Sequence, residues 1–126
     1  MPKTVPDRPG LEPSGYPFSK VVEANGFVFL AGQVGDAPGG HGAVPGGIEA
    51  ETRAMLENVG RLLHAVDLDY RDVVRCTVYL RDFNDFAAMN AVYREYFTTE
   101  PPARATVGVT ALAEDFRVEI EVTAAR

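Results

Sequence analysis

Two residues near the C-terminal end carry types and surroundings suited to the chemistry of small acids. Arg104 follows Pro101-Pro102-Ala103 and opens the run Ala105-Thr106-Val107-Gly108-Val109. Glu119 sits in an alternating run, Phe116-Arg117-Val118-Glu119-Ile120-Glu121-Val122. A planar guanidinium matches a carboxylate through two parallel hydrogen bonds. A carboxylate placed beside it can orient a water for attack or accept its proton. Both residues also have ordinary readings. Arg104 reads as a strand-edge arginine in solvent or a surface ion pair. Glu119 reads as part of the wet face of an amphipathic strand shared with Arg117, Glu121 and Thr123.

Other polar residues are weighed in the same way. Thr106 shares a strand face with Arg104 and is a common β-former. Asn90 lies between Met89 and Tyr93 on an expected helix, either exposed or making a packing hydrogen bond. Phe18 is expected as an apolar wall or a core residue. Cys76 falls on the apolar face of its strand and reads as a buried, inert thiol, because a reactive cysteine needs exposure and positive surroundings. His41 and His64 have no Cys, His or carboxylate at metal-ligand spacing, so no metal site is expected. Gly39-Gly40-His41-Gly42 and Pro45-Gly46-Gly47 lack the lysine and spacing of a phosphate loop. No Gly-x-Ser-x-Gly or Ser/His/Asp pattern is present.

The elements that must position these residues follow from hydrophobic periodicity. Pro2, Pro6, Pro9 and Pro13, with Pro17 just beyond, make residues 1–16 an extended N-terminal arm. A first strand is expected over 18–24, a hairpin turn at Asn25-Gly26, and a second strand from Phe27 to Ala31. Gly35 to Gly47 reads as a loop. Ile48, Thr52, Met55, Val59, Leu62 and Val66 recur at helical spacing, with Glu49 and Glu51 in a first turn whose dipole favours negative charge. Val73 to Arg81 alternates as a strand. A second helix is expected from about Asn84 to Phe97, capped by Asp82 or Asn84, with Phe86, Met89, Tyr93 and Tyr96/Phe97 as its apolar stripe. Pro101-Pro102 ends it, and strands follow over about 104–109 and 116–123.

The order ββαβαββ predicts an α+β fold: a mixed sheet with two helices on one face, in a single domain over residues 1–126. The strand Phe27-Val28-Phe29-Leu30-Ala31 is apolar on both sides, yet two helices cover only one. The uncovered face predicts a homo-oligomer.

Bulk composition narrows the partners. The chain has 126 residues, 46% apolar and 24% charged, with a net charge of −6 and no basic block. That balance argues against a phosphate-backbone partner, which needs clustered Lys and Arg. No run is long enough to cross a membrane, and the N-terminus has no apolar signal core, so the default expectation is cytoplasmic. One cysteine excludes an intramolecular disulfide framework.

Several segments together resemble the RidA/YjgF reactive-intermediate deaminase family, imine/enamine deaminases long labelled endoribonuclease L-PSP. They are Pro17-Phe18-Ser19, Ala31-Gly32-Gln33-Val34, Glu57-Asn58-Val59, Val78-Tyr79-Leu80-Arg81-Asp82, Asn84-Asp85-Phe86-Ala87-Ala88-Met89-Asn90, Tyr93, Phe97, Pro102-Ala103-Arg104 and Val118-Glu119-Ile120-Glu121. The resemblance runs from about Tyr16 to the C-terminus. It implies a chorismate-mutase-like fold and a homotrimer with clefts between subunits. It also implies cofactor-free hydrolysis of 2-imino acids and their enamines, such as 2-iminobutanoate and 2-iminopropanoate, to 2-keto acid and ammonia. In its terms Arg104 grips the substrate carboxylate, Glu119 positions the water, Asn90 stands near the cleft and the Gly32 backbone lines it. Phe18 replaces a frequent tyrosine, Thr106 a frequent cysteine, and Ala113 a common proline; the Thr106 backbone N–H can still bind water or substrate. These departures keep two alternatives open: a pathway-specific deaminase of another imine or enamine, such as an aminomuconate-type intermediate, and a non-catalytic trimeric keto-acid binder. The endoribonuclease label fits poorly with the acidic charge.

Overall fold

The computed structural model describes residues 2–126. Strand β1 (Val21–Ala24) turns through Asn25 and Gly26 into β2 (Phe27–Val34). Both turn residues have positive φ, 53° and 81°, as a tight hairpin requires of its central pair. Helix α1 (Gly47–Ala65), β3 (Val73–Leu80), α2 (Phe86–Tyr96), β4 (Ala103–Gly108) and β5 (Val118–Ala125) follow. The α+β order ββαβαββ expected from the sequence is therefore present.

The strands form one five-stranded sheet in the order β1-β2-β5-β3-β4. Neighbours are antiparallel except β3 and β4, which run parallel because α2 crosses between them. Strand alternation fixes the two faces. Val28, Leu30, Cys76, Val78, Leu80, Val118, Ile120 and Val122 point to the helices and are buried with Met55, Leu56, Val59, Leu63, Met89 and Val92. On the other face Phe27, Phe29, Val74 and Val107 remain 45%, 43%, 43% and 42% exposed. The doubly apolar β2 thus has one side in the core and the other bare.

Four local expectations are corrected. Phe18 is neither core nor strand: it is 55% exposed in a bend before β1, its ring parallel to that of Tyr16 at 6.3 Å. Glu51 lies beyond the first turn, since α1 begins at Gly47, and it turns inward to the core. It is fully buried, and its Oε2 accepts from the backbone N–H groups of Arg117 (2.6 Å) and Val118 (3.2 Å). Neither Asp82 nor Asn84 caps α2. Asp82 accepts from the Asn84 N–H and opens a 3₁₀ turn, Phe83–Asp85, that leads into the helix. The arm is fastened as well as extended: Thr4 exchanges backbone bonds with Glu23 on β1 (2.9 and 2.8 Å), and Leu11 packs on the core. The Glu23 side chain in turn receives Arg126 Nε at 2.8 Å.

Candidate active site

Pro101 and Pro102 end the connection after α2 and deliver the chain into β4 with Arg104 as its second residue. Arg104 is in register with Cys76, and Thr106 with Val78, so both side chains turn toward the helix-covered face. There α2 supplies Phe86, Asn90 and Tyr93, spaced four and three residues apart on one helical side. The Arg104 guanidinium lies 4.7 Å from the Tyr93 ring centre and 5.7 Å from that of Phe86. Phe83 stacks behind Phe86 at 5.0 Å. Aromatic faces attract a guanidinium without neutralising it, and among the described residues no carboxylate pairs with Arg104.

Three residues of this region, Asn90, Tyr93 and Thr106, carry buried polar atoms. Asn90 Oδ1 and Thr106 Oγ1 have no hydrogen-bond partner among the described residues. The Tyr93 hydroxyl has no well-aligned partner either, although the Cys76 thiol and Arg104 lie against it. Leaving such a group unpaired costs about 1–3 kcal/mol, so Asn90 and Thr106 are polar groups the fold itself does not satisfy. The space beside them is a cleft of about 390 Å³ lined by Asn90, Tyr93, Arg94, Phe97, Pro102 and Arg104. Cys76 is buried and its thiol is pushed up to about 11 by burial, as an inert core cysteine should be.

Glu119 belongs to a second place. It pairs with Val34 on β2 and Tyr79 on β3 and projects to the open face, where it is half-buried. Burial is the first cause raising its pKa, and the like charge of Glu121 adds to it. Tyr79 donates its hydroxyl to Glu121 Oε1 at 2.7 Å. Gly32 sits under the Glu119 carboxyl. A Cβ at Gly32 would strike Oε2 and lie 3.2 Å from Cδ, so only glycine permits this approach. Phe18, Lys20, Gly32, Gln33 and Arg61 share a neighbouring cleft of about 360 Å³.

The structure therefore brings Arg104, Thr106 and Asn90 together, and Gly32 with Glu119 and near Phe18. It does not bring the two groups together within one chain. Arg104 and Glu119 point to opposite faces, on strands separated by β3. Tyr93 and Phe86, read from sequence only as an apolar stripe, are the platform for the arginine; their spacing with Asn90 was the available signal. A larger groove, about 510 Å³ beside Tyr70, Arg71, Tyr96 and Thr99, contains none of the candidate residues. Among the described residues no cluster of His, Cys, Asp or Glu could hold a metal ion, and no helix is long and apolar enough to cross a membrane.

The chain is similar to known proteins over most of its length. The family described as Endoribonuclease L-PSP matches residues 11–126. A RutC family protein of Pyrococcus horikoshii is 44% identical over 108 residues, covering 86% of each chain. The 2-iminobutanoate/2-iminopropanoate deaminase of Capra hircus is 43% identical over 108 residues, 86% of this chain and 79% of that one. The structure of E. coli TdcF with bound serine is 34% identical and superposes with a TM-score of 0.82, over 88% of this chain and 89% of its own. The match over nearly the whole length, in sequence and in fold, makes this chain a member of the Endoribonuclease L-PSP family, the RidA/YjgF family its motifs resemble.

Proposed function

We propose that this protein is a hydrolytic deaminase of 2-imino acids and their enamine tautomers, of the 2-iminobutanoate/2-iminopropanoate type. The observation that carries the reading is the guanidinium of Arg104, set over two aromatic rings, unpaired by any carboxylate among the described residues, and bordering a cleft that Asn90 also lines. That is the environment of a small carboxylate with further polar atoms. Relatives support the class: several are 2-iminobutanoate/2-iminopropanoate deaminases, and the serine bound to E. coli TdcF carries such a carboxylate.

In this reading the substrate carboxylate docks on Arg104 with Asn90 and Thr106 beside it. The protonated imine carbon is already electrophilic, so orientation and one aligned water supply most of the acceleration. Ionised Glu119 holds the water and accepts its proton as the C–O bond forms. Glu119 returns that proton to the nitrogen of the resulting carbinolamine, the C–N bond breaks as the hydroxyl proton passes back to Glu119, and ammonia leaves behind a 2-keto acid. A carboxylate whose pKa is raised is a stronger base at neutral pH than an ordinary one. Because Arg104 and Glu119 face opposite sides of one sheet, the complete site needs a second copy of the chain. The exposed Phe27, Phe29, Val74 and Val107 give the open face a reason to associate, and we assign the assembly as a homotrimer with a cleft at each interface.

The test uses an amino-acid oxidase to generate 2-iminopropanoate or 2-iminobutanoate in the presence of semicarbazide. Active enzyme diverts imine to keto acid and slows appearance of the directly trapped product. Wild type should do so and Arg104→Ala should not, since a charge-assisted contact of about 1.5–3 kcal/mol is lost. Wild type without effect on either imine would refute the reading.

A further inference from the structure

We infer that Gln33 is a positioning residue for Glu119, acting through a bulge in β2; the inference rests on the proposal that Glu119 holds the hydrolytic water. The register of β2 against β5 passes from Leu30–Val122 to Gln33–Ile120, so β2 spends one extra residue there. Ala31 and Gly32 are displaced from the ladder with β5. Such a bulge bends the strand and re-aims what it carries. Here it presents the bare Cα of Gly32 to the Glu119 carboxyl, whose Cδ and Cγ stand 3.2 and 3.6 Å from where a Cβ would be.

Gln33 closes this bulge from within. Its Nε2 donates to the carbonyls of Ala31 (3.0 Å) and Gly32 (3.1 Å). Two carbonyl acceptors fix which end of the amide is nitrogen. The segments on either side are held by other groups. Upstream, the Ala31 N–H bonds the Lys20 carbonyl at 2.9 Å. Downstream, Asn58 Nδ2 bonds the carbonyls of Val34 (2.9 Å) and Asp36 (3.0 Å). Between these anchors lies Gly32, the residue with the greatest backbone freedom, and the Gln33 amide is the side chain that binds it. Without that clip the bulge gains conformers in which Gly32 no longer lies under the carboxylate. Glu119 then loses one wall of its position while the Arg104 half, on the far edge of the sheet, is untouched.

The experiment compares wild type with Gln33→Met, which matches the shape without the N–H donors, and Gln33→Asn, whose amide is too short to reach both carbonyls. Two readouts are taken. In imine hydrolysis, kcat should fall by about 10- to 100-fold, the range for a misplaced reacting group, while KM stays within about twofold because Arg104 still binds the carboxylate. In ¹³C NMR of glutamate-labelled protein, the Glu119 carboxyl is assigned by its loss in Glu119→Gln. Its titration should move toward lower pH in the variants as the carboxyl relaxes into solvent. Glu121 and Tyr79 are the titratable groups facing it and are common to all three proteins. The NMR readout does not need activity. An inactive wild type with a shifted titration would sink the deaminase reading and leave the Gln33–Glu119 link standing. A folded variant with unchanged titration, or with unchanged kcat in an active enzyme, would overturn the inference. If Gln33→Met fails to fold, Gln33→Asn decides by the same criteria.

Discussion

Replacing Glu51 tests whether a buried carboxylate splices α1 to the start of β5. Its Oε2 accepts from two backbone donors, Arg117 at 2.6 Å and Val118 at 3.2 Å, and its Oε1 meets the Arg117 guanidinium at 3.4 Å. Glu51→Ala strands both N–H groups in the interior, at about 1–3 kcal/mol each. The Arg117 side chain is 42% exposed, so its lost ion pair adds little. The sum is about 2–6 kcal/mol, a range that spans the scale seen when one partner of a buried charged pair is removed. For a chain of this length that is a fall in Tm of roughly 8–23 °C. Glu51→Gln keeps an acceptor of the same shape and loses only the charge assistance, about 1–2 kcal/mol. Thermal unfolding by circular dichroism at one fixed protein concentration measures both, since association makes Tm concentration-dependent. An alanine variant within about 1 kcal/mol of wild type would refute the splice. A glutamine variant as unstable as alanine would show that charge, not the acceptor, is what matters.

Other outcomes follow from the same geometry. Gly32→Ala should abolish imine hydrolysis while leaving keto-acid binding at Arg104 measurable by calorimetry, because the new Cβ displaces the Glu119 carboxyl. Activity should fall as pH drops through the raised pKa of Glu119, since the water-orienting form is ionised. Glu121→Gln removes the like charge, lowers that pKa, and should move the acid limb of the pH–rate profile to lower pH; burial keeps it above the ordinary value. Arg104→Lys should recover less than half of the binding free energy lost in Arg104→Ala, because an ammonium offers neither the fork nor the flat face that Tyr93 and Phe86 hold. Cys76, with its thiol raised to about 11 by burial, should react with a thiol reagent only as the protein unfolds.

The fold was legible where a period was long and unambiguous. Alternation in 73–81 and the helical stripe from Ile48 to Val66 gave β3 and α1 to within a residue or two, and Asn25-Gly26 gave the hairpin. The sequence places the end of β2 at Ala31, whereas the strand runs on to Val34 through a bulge at Ala31 and Gly32 that no local pattern announces. Sequence places Glu51 in the dipole-favoured first turn because it shows a helix start but not the rotation that carries the side chain inward. Of the two readings of Phe18, a core residue is excluded by the bend before β1 that leaves it exposed, while it does line a cleft with Gly32. Within the candidate site, Arg104 and Thr106 share a strand legible in the sequence, whereas Asn90 reaches Arg104 only through the packing of α2 on the sheet. That Arg104 and Glu119 face opposite ways was not readable, because it depends on the order β5-β3-β4, which no local pattern encodes.

Glu23 bears on how the outer edge of the sheet is protected. Its backbone pairs with Thr4 and its carboxylate with Arg126, so residues from both extremities converge on one position of β1. That strand is the sheet edge farthest from β4 and Arg104. Thr4 thereby occupies part of the outer edge of β1, whose other side pairs with β2, and shields it from pairing with an extended segment of another chain.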